Sequence, residues 1–237
     1  MNTVLHRSDE RGHANHGWLD AKHSFSFANY YDPQKVHFGA LRVLNDDTVA
    51  PGAGFPEHPH DNMEIITIPL SGSIAHKDSM GNASVIHAGE IQVMSAGSGI
   101  FHSEFNNSEE EELRLFQIWL FPHTKNVKPR YDQINLKKLK KKNDFIQVLS
   151  PNKNDQGVWI YQDAWFNMGD FDKGIKVNYQ IHQPNNGIYL MVIEGSIQIA
   201  GETLNKRDAI GITEIQKIEL ETQSNSSLLL IEIPMNY

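Results

Sequence analysis

The sequence predicts an all-β protein made of two β domains, each a sandwich or barrel of antiparallel strands. Three observations carry this. Short apolar runs rich in β-branched residues recur along the chain, separated by Gly, Asn, Asp and Ser. Helical signals are few, and Gln133–Lys142 has room for only one turn or two. A weak internal repeat sets LSGSIAH (Leu70–His76) beside IEGSIQI (Ile193–Ile199), aligning Gly72 with Gly195 at an offset of 123 residues. A repeat near half of a 237-residue chain implies two domains of similar fold.

Taken in order, the strand candidates are Glu64–Leu70, Glu90–Met94 and Leu113–Phe121 in the first half, then Ile188–Glu194 and Ser227–Ile233 in the second. Each is too short for a helix and is bounded by turn formers. HAGEIQVM (His87–Met94) corresponds loosely to NKRDAIGI (Asn205–Ile212), which extends the repeat. Between the halves, Pro122–Asp144 loses the strand pattern and carries five Lys from Lys137 to Lys142. Such a run reads as a solvated connector. The expected organisation is therefore a first domain over 1–125, a Lys-rich connector over 126–145 and a second domain over 146–237. The acidic run Glu109–Glu112 reads as an exposed turn.

Composition narrows the function. Lys and Arg number 21 against 29 Asp and Glu, a net charge of −8, which disfavours direct nucleic-acid binding. With no cysteine, disulfide scaffolds, thiolate zinc sites and cysteine nucleophiles drop out. The N-terminus has no apolar signal region, and no stretch approaches a membrane span. A cytoplasmic protein without a membrane partner is the expectation, and a monomer is the plain one for two fused domains. No nucleotide-binding glycine loop appears, and neither Ser98 nor Ser103 sits in a nucleophile elbow.

Twelve histidines stand out instead. In GAGFPEHPHDNME, His58 and His60 are two apart, so on a strand both project from one face. Glu64 would share that face if the strand continued. In GSGIFHSE, His102 and Glu104 form a second pair of the same kind. Two such pairs on neighbouring strands bring three imidazoles and a carboxylate together. That set suits Fe, Mn, Ni, Cu, Co or Zn and leaves positions open for a ligand. His13, His16 and His23 lack the spacing of a strand-face set and read as structural. Phe25, Phe27, Tyr30 and Tyr31 would fill core or line an aromatic cavity, and Met94 and Phe116 share that ambiguity.

Gly52, His58, His60 and Glu64 fit the first cupin motif, and Gly89, Gly99 and His102 fit the second loosely, with Gly97 where a proline is expected. More narrowly, GHANHGWLDAKHSFSFANYYDP, LRVLNDD, HPHDNMEI, HKDSMGN, MSAGSGIFHSE and QIWLFP resemble the pirin family, above all its bacterial bicupin members with quercetin 2,3-dioxygenase activity. The resemblance implies two facing β-barrels of the double-stranded β-helix or jelly-roll type. It implies one divalent metal, Fe(II) first, held by His58, His60, His102 and Glu104. Glu64 then becomes a partner that orients a ligating histidine, and the reserve proton acceptor behind Glu104. At the 123-residue offset, Ile181 and Gln183 stand where His58 and His60 do, and no histidine follows His182, so the second barrel lacks a metal set.

The resemblance also implies an activity, opening of a flavonol heterocycle by O2 with release of carbon monoxide. The alternative class is a metal-binding regulatory or stress-response protein that acts through protein partners, with flavonol turnover as a side activity.

Overall fold

The computed structural model describes residues 1–236, as 22 strands and two short 3-10 turns. In the first half lie β1 (Asn2–His6), β2 (Gly12–Asn15), β3 (Leu19–His23), β4 (Leu41–Val49), β5 (Gly54–His60) and β6 (Glu64–Ser71). They are followed by β7 (Ser73–Asp78), β8 (Ala83–His87), β9 (Glu90–Ser95), β10 (Ile100–Asn106), β11 (Leu113–Leu120) and β12 (Arg130–Asn135). The second half contributes β13 (Ile146–Ser150), β14 (Val158–Trp159), β15 (Trp165–Phe171), β16 (Lys176–Gln180) and β17 (Asn186–Glu194). It ends with β18 (Ser196–Ile199), β19 (Glu202–Asn205), β20 (Ala209–Thr213), β21 (Lys217–Thr222) and β22 (Ser226–Pro234).

Each half builds a barrel from a seven-stranded sheet and a four-stranded one. The first pairs β12-β9-β6-β11-β4-β3-β2 with β5-β10-β7-β8, and the second pairs β1-β20-β17-β22-β15-β13-β14 with β16-β21-β18-β19. The two seven-stranded sheets face each other. Along β17, Tyr189, Met191 and Ile193 point into the core between the barrels, whereas Ile188, Leu190 and Val192 fill the second barrel. On β11, Phe116, Ile118 and Leu120 enter the same shared core. Being buried on both faces explains why these strands read as unbroken apolar runs rather than alternating ones.

The interiors of the barrels differ. The second is filled by Val177, Ile197, Ile199, Leu204, Ile210, Ile212, Leu228 and Leu230 among others. Inside the first, Leu19, Ile74, Ile86 and Leu115 make a small apolar cluster, and Asn45, Asp47, Thr67, His76, His102, Glu104 and Gln117 are buried alongside it. A polar interior needs partners or a ligand.

The repeat is real as structure. Gly72 joins β6 to β7 at φ 76° and Gly195 joins β17 to β18 at φ 87°, so both turns use the left-handed conformation that glycine tolerates. Two expectations change. The connector was expected to lack strands, yet Arg130–Asn135 pairs antiparallel with β9 as an edge strand, and only Leu136–Lys138 of the expected helical stretch coils, as a 3-10 turn. The half-buried, polar β12 has no apolar run to announce it. In addition, β1 leaves the first barrel and pairs with β20, from Asn2 opposite Thr213 to His6 opposite Ala209.

Candidate metal centre

The site is organised around β10, which lies between β5 and β7. In register, His102 stands opposite His58 on one side and Asp78 on the other, and Glu104 opposite Phe55 and His76. The β5 pairing shifts register between His102 and Glu104. Alternation on β10 turns His102 and Glu104 inward, and the half-exposed Phe101 and Phe105 outward. His58 and His60 share a face of β5, as their spacing predicts.

The imidazole centroids lie 4.9 Å apart for His58 and His60, 4.4 Å for His58 and His102, and 5.0 Å for His60 and His102. Ligand atoms of these three residues all lie within 4.8 Å of one another. The His58 Nδ1–H can donate to the Pro56 carbonyl at 2.8 Å, which frees Nε2. His60 Nε2 and both ring nitrogens of His102 are buried without a hydrogen-bond partner. Burial and neighbouring imidazoles push the His60 pKa down to about 4 and hold His102 lower still, so both rings stay neutral. Neutral imidazoles with unshared lone pairs suit a transition metal.

Glu104 is buried, accepting from Thr67 Oγ1 at 3.2 Å and Gln117 Nε2 at 3.0 Å. Burial raises its pKa to about 7. A cation beside it would reverse that shift. Glu104 groups with His102 and with His76, a residue the spacing analysis passed over. The signal was present in HKDSMGN, but a lone histidine gains its meaning only from its cross-strand partner.

Glu64 goes elsewhere. The expectation that it shares the His60 face assumed a continuous strand, but Asp61–Met63 breaks the strand, with Asn62 at φ 45°. Glu64 therefore lies on the face toward the second barrel. There it pairs across from Ser95, whose Oγ donates to it at 2.6 Å, near Arg130 and the Tyr161 backbone. The expected role of orienting a ligating histidine has no support in these contacts.

The three histidines open on a cavity of about 350 Å³, lined by Leu19, Phe27, Ile65, Gln117 and Trp119 among others. Trp119 stands edge-on to His60, with centroids 4.8 Å apart. Of the aromatic candidates, Phe27 lines this cavity, Phe25 and Phe116 sit in the core between the barrels, Met94 packs against Ile65, and Tyr31 is exposed. His23 hydrogen-bonds Asn45 at 2.9 Å, and His13 approaches Asp20. Asp47 also lines the cavity, deeply buried, and desolvation raises its pKa well above the carboxylate range.

Two face-to-face barrels of this topology, one with a histidine-rich interior and one filled with aliphatics, define a bicupin. Comparison with known proteins narrows the class. The Pirin family model matches residues 4–120, and that of the quercetinase C-terminal cupin domain matches residues 147–233. The chain belongs to the pirin family. It is 42% identical over 236 residues to quercetin 2,3-dioxygenase of Escherichia coli K12, covering 97% of this chain and 98% of that protein. It is also 40% identical over 225 residues to a pirin-like protein of Caulobacter vibrioides, covering 94% and 96% of the two chains. The structure of the E. coli bacterial pirin YhhW in complex with nickel(II) superposes with a TM-score of 0.93, at 41% identity, covering 98% of this chain and 99% of that one. No helix of the described residues is long and apolar enough to cross a membrane.

Proposed function

We propose that the protein is a metal-dependent dioxygenase that opens the heterocycle of flavonols such as quercetin with O2 and releases carbon monoxide. The carrying observation is the neutral trio His58, His60 and His102, whose buried lone pairs lack hydrogen-bond partners at the wall of a largely apolar cavity. Its volume, about 350 Å³, is at the small end of the range for small-molecule sites. The name carried by the 42% identical E. coli relative supports the substrate class.

In this reading His58, His60, His102 and Glu104 hold one divalent first-row ion, Fe(II) on the family resemblance. When bound, the ion supplies a Lewis acid that acidifies the substrate 3-hydroxyl. Glu104 receives the proton at a carboxylate oxygen, while Thr67 and Gln117 keep that carboxylate in place. Phe27 and Trp119 flank the planar substrate, and the apolar wall of Leu19 and Ile65 excludes water. The overall reaction adds both oxygen atoms to the opened ring products and expels one ring carbon as carbon monoxide. The chain acts in the cytoplasm as a monomer, since each seven-stranded sheet already covers the other.

The test is carbon monoxide release from quercetin in air, by metal-loaded wild type and by His102→Ala, with metal content measured on the same samples. One carbon monoxide per flavonol from the wild type, and none from the variant, is expected. Full metal content without turnover in the wild type would turn the assignment toward the regulatory class.

A further inference from the structure

His76 lies on β7 opposite Glu104, with its ring centroid 5.3 Å from that of His102. Ligand atoms of His76, His102 and Glu104 all lie within 4.8 Å of one another, and all three residues are buried. The bland role for His76 is a core histidine satisfied by its neighbours. Its contacts argue otherwise. His76 Nε2 stands 3.4 Å from Asp78 Oδ2, while His76 Nδ1 is buried with no hydrogen-bond partner.

Asp78 is itself locked in place. Its Oδ1 accepts from the backbone N–H groups of Met80 at 2.9 Å and Asn82 at 3.0 Å, and its Oδ2 accepts from Asn82 Nδ2 at 2.8 Å. A carboxylate fixed behind one ring nitrogen, with the other nitrogen left as a bare lone pair, is the arrangement that orients a metal-ligating imidazole. The Tyr131 ring, 4.9 Å away, packs on His76 and limits its rotation.

We propose that the centre has a second, deeper metal position. In it His76 replaces His58 and His60, and His102 and Glu104 are shared with the outer position. Because both positions use these two residues, one ion occupies one position at a time. The donors are two imidazoles and a carboxylate, a set that takes first-row divalent ions. The proposal rests on the reading of this cluster as a metal centre but not on the flavonol chemistry.

Co(II), followed by its visible ligand-field absorption and by dialysis, is the probe. It is titrated into metal-free wild type, His58→Ala/His60→Ala, and that double variant carrying His76→Gln, with folding checked by circular dichroism. The double variant is expected to take up one Co(II), more weakly than wild type, and the added His76→Gln to weaken that uptake at least about tenfold. His76→Gln in the otherwise wild-type chain is expected to change the Co(II) spectrum, a readout that does not need the double variant to fold. Uptake by wild type with none by the folded double variant would overturn the deeper position and leave the metal centre standing. An unchanged spectrum in the single His76→Gln variant would overturn it equally. No uptake by any form would overturn the metal centre and this proposal together.

Discussion

At the residue scale, the two buried glutamates separate by what they face. Glu104 points into the histidine cluster and Glu64 toward Ser95, Arg130 and the second barrel. Metal analysis of Glu104→Ala and Glu64→Ala should therefore show the larger loss in the first, and equal losses would remove Glu104 from the ligand set. Glu64 has a different signature, in stability. Burial raises its pKa from 4.5 to about 7 in the folded chain. Between those values the folded state holds a proton that the unfolded state has released, so the contribution of this group to stability falls as pH rises from 4.5 to 7. The full loss is about 3 kcal/mol. Urea unfolding of the metal-free protein at pH 4.5 and 8 should show Glu64→Gln relieved of that decline relative to wild type. A parallel pH dependence in the two proteins would mean that Glu64 is ionised throughout. The His58, His60, His102 and Glu104 set was legible because each pair is two residues apart on one strand. His76 and Asp47 were not, because what they contribute comes from their partners across the sheet and from burial, neither of which local spacing records.

At the element scale, the strands buried on both faces were legible and the edge strands were not. β6, β11, β17 and β22 read as apolar runs because each serves a barrel interior and the shared core. β12 and β1 carry little apolar signal, and β1 finds its partner about 200 residues away in β20. That pairing ties the start of the chain to the second barrel. It is fastened by His6, whose Nδ1 lies 2.8 Å from the Tyr189 hydroxyl and whose ring packs edge-on to Phe25 and Tyr189. Removing residues 1–7 should expose the edge of β20. Hydrogen exchange should then show the amides of Ile210 and Ile212 losing protection while those of β18 and β21 keep theirs. Unchanged protection in β20 would mean that β1 is dispensable to that edge.

At the scale of the whole molecule, the shared core decides how the two barrels behave. Phe116, Ile118 and Leu120 from the first half meet Phe166, Tyr189, Met191 and Ile231 from the second. Polar contacts join across the same surface, with Arg207 bridging to Asp46 at 3.1 Å and its guanidinium lying over Phe116. An interface made of fully buried aromatics and branched aliphatics resembles a domain core more than a contact between independent domains. Neither barrel then has a stable form in which that face meets water, and the two should unfold together. Phe116→Ala removes a large buried side chain from this surface, without touching the metal cavity, at a cost of about 3–5 kcal/mol. Denaturant unfolding followed by circular dichroism and by tryptophan fluorescence should give one coincident transition for wild type, displaced to lower denaturant in the variant. Trp119 reports on the first barrel and Trp159 and Trp165 on the second. If the variant displaced only the tryptophan signal of the first barrel, the halves would be independent folding units. The polar interior around His102 would then have to be stabilised by the first barrel alone. With one transition, the aliphatic second barrel has a physical task although it lacks a metal set: it supplies the apolar burial that lets its partner keep unsatisfied imidazoles and a buried carboxylate inside.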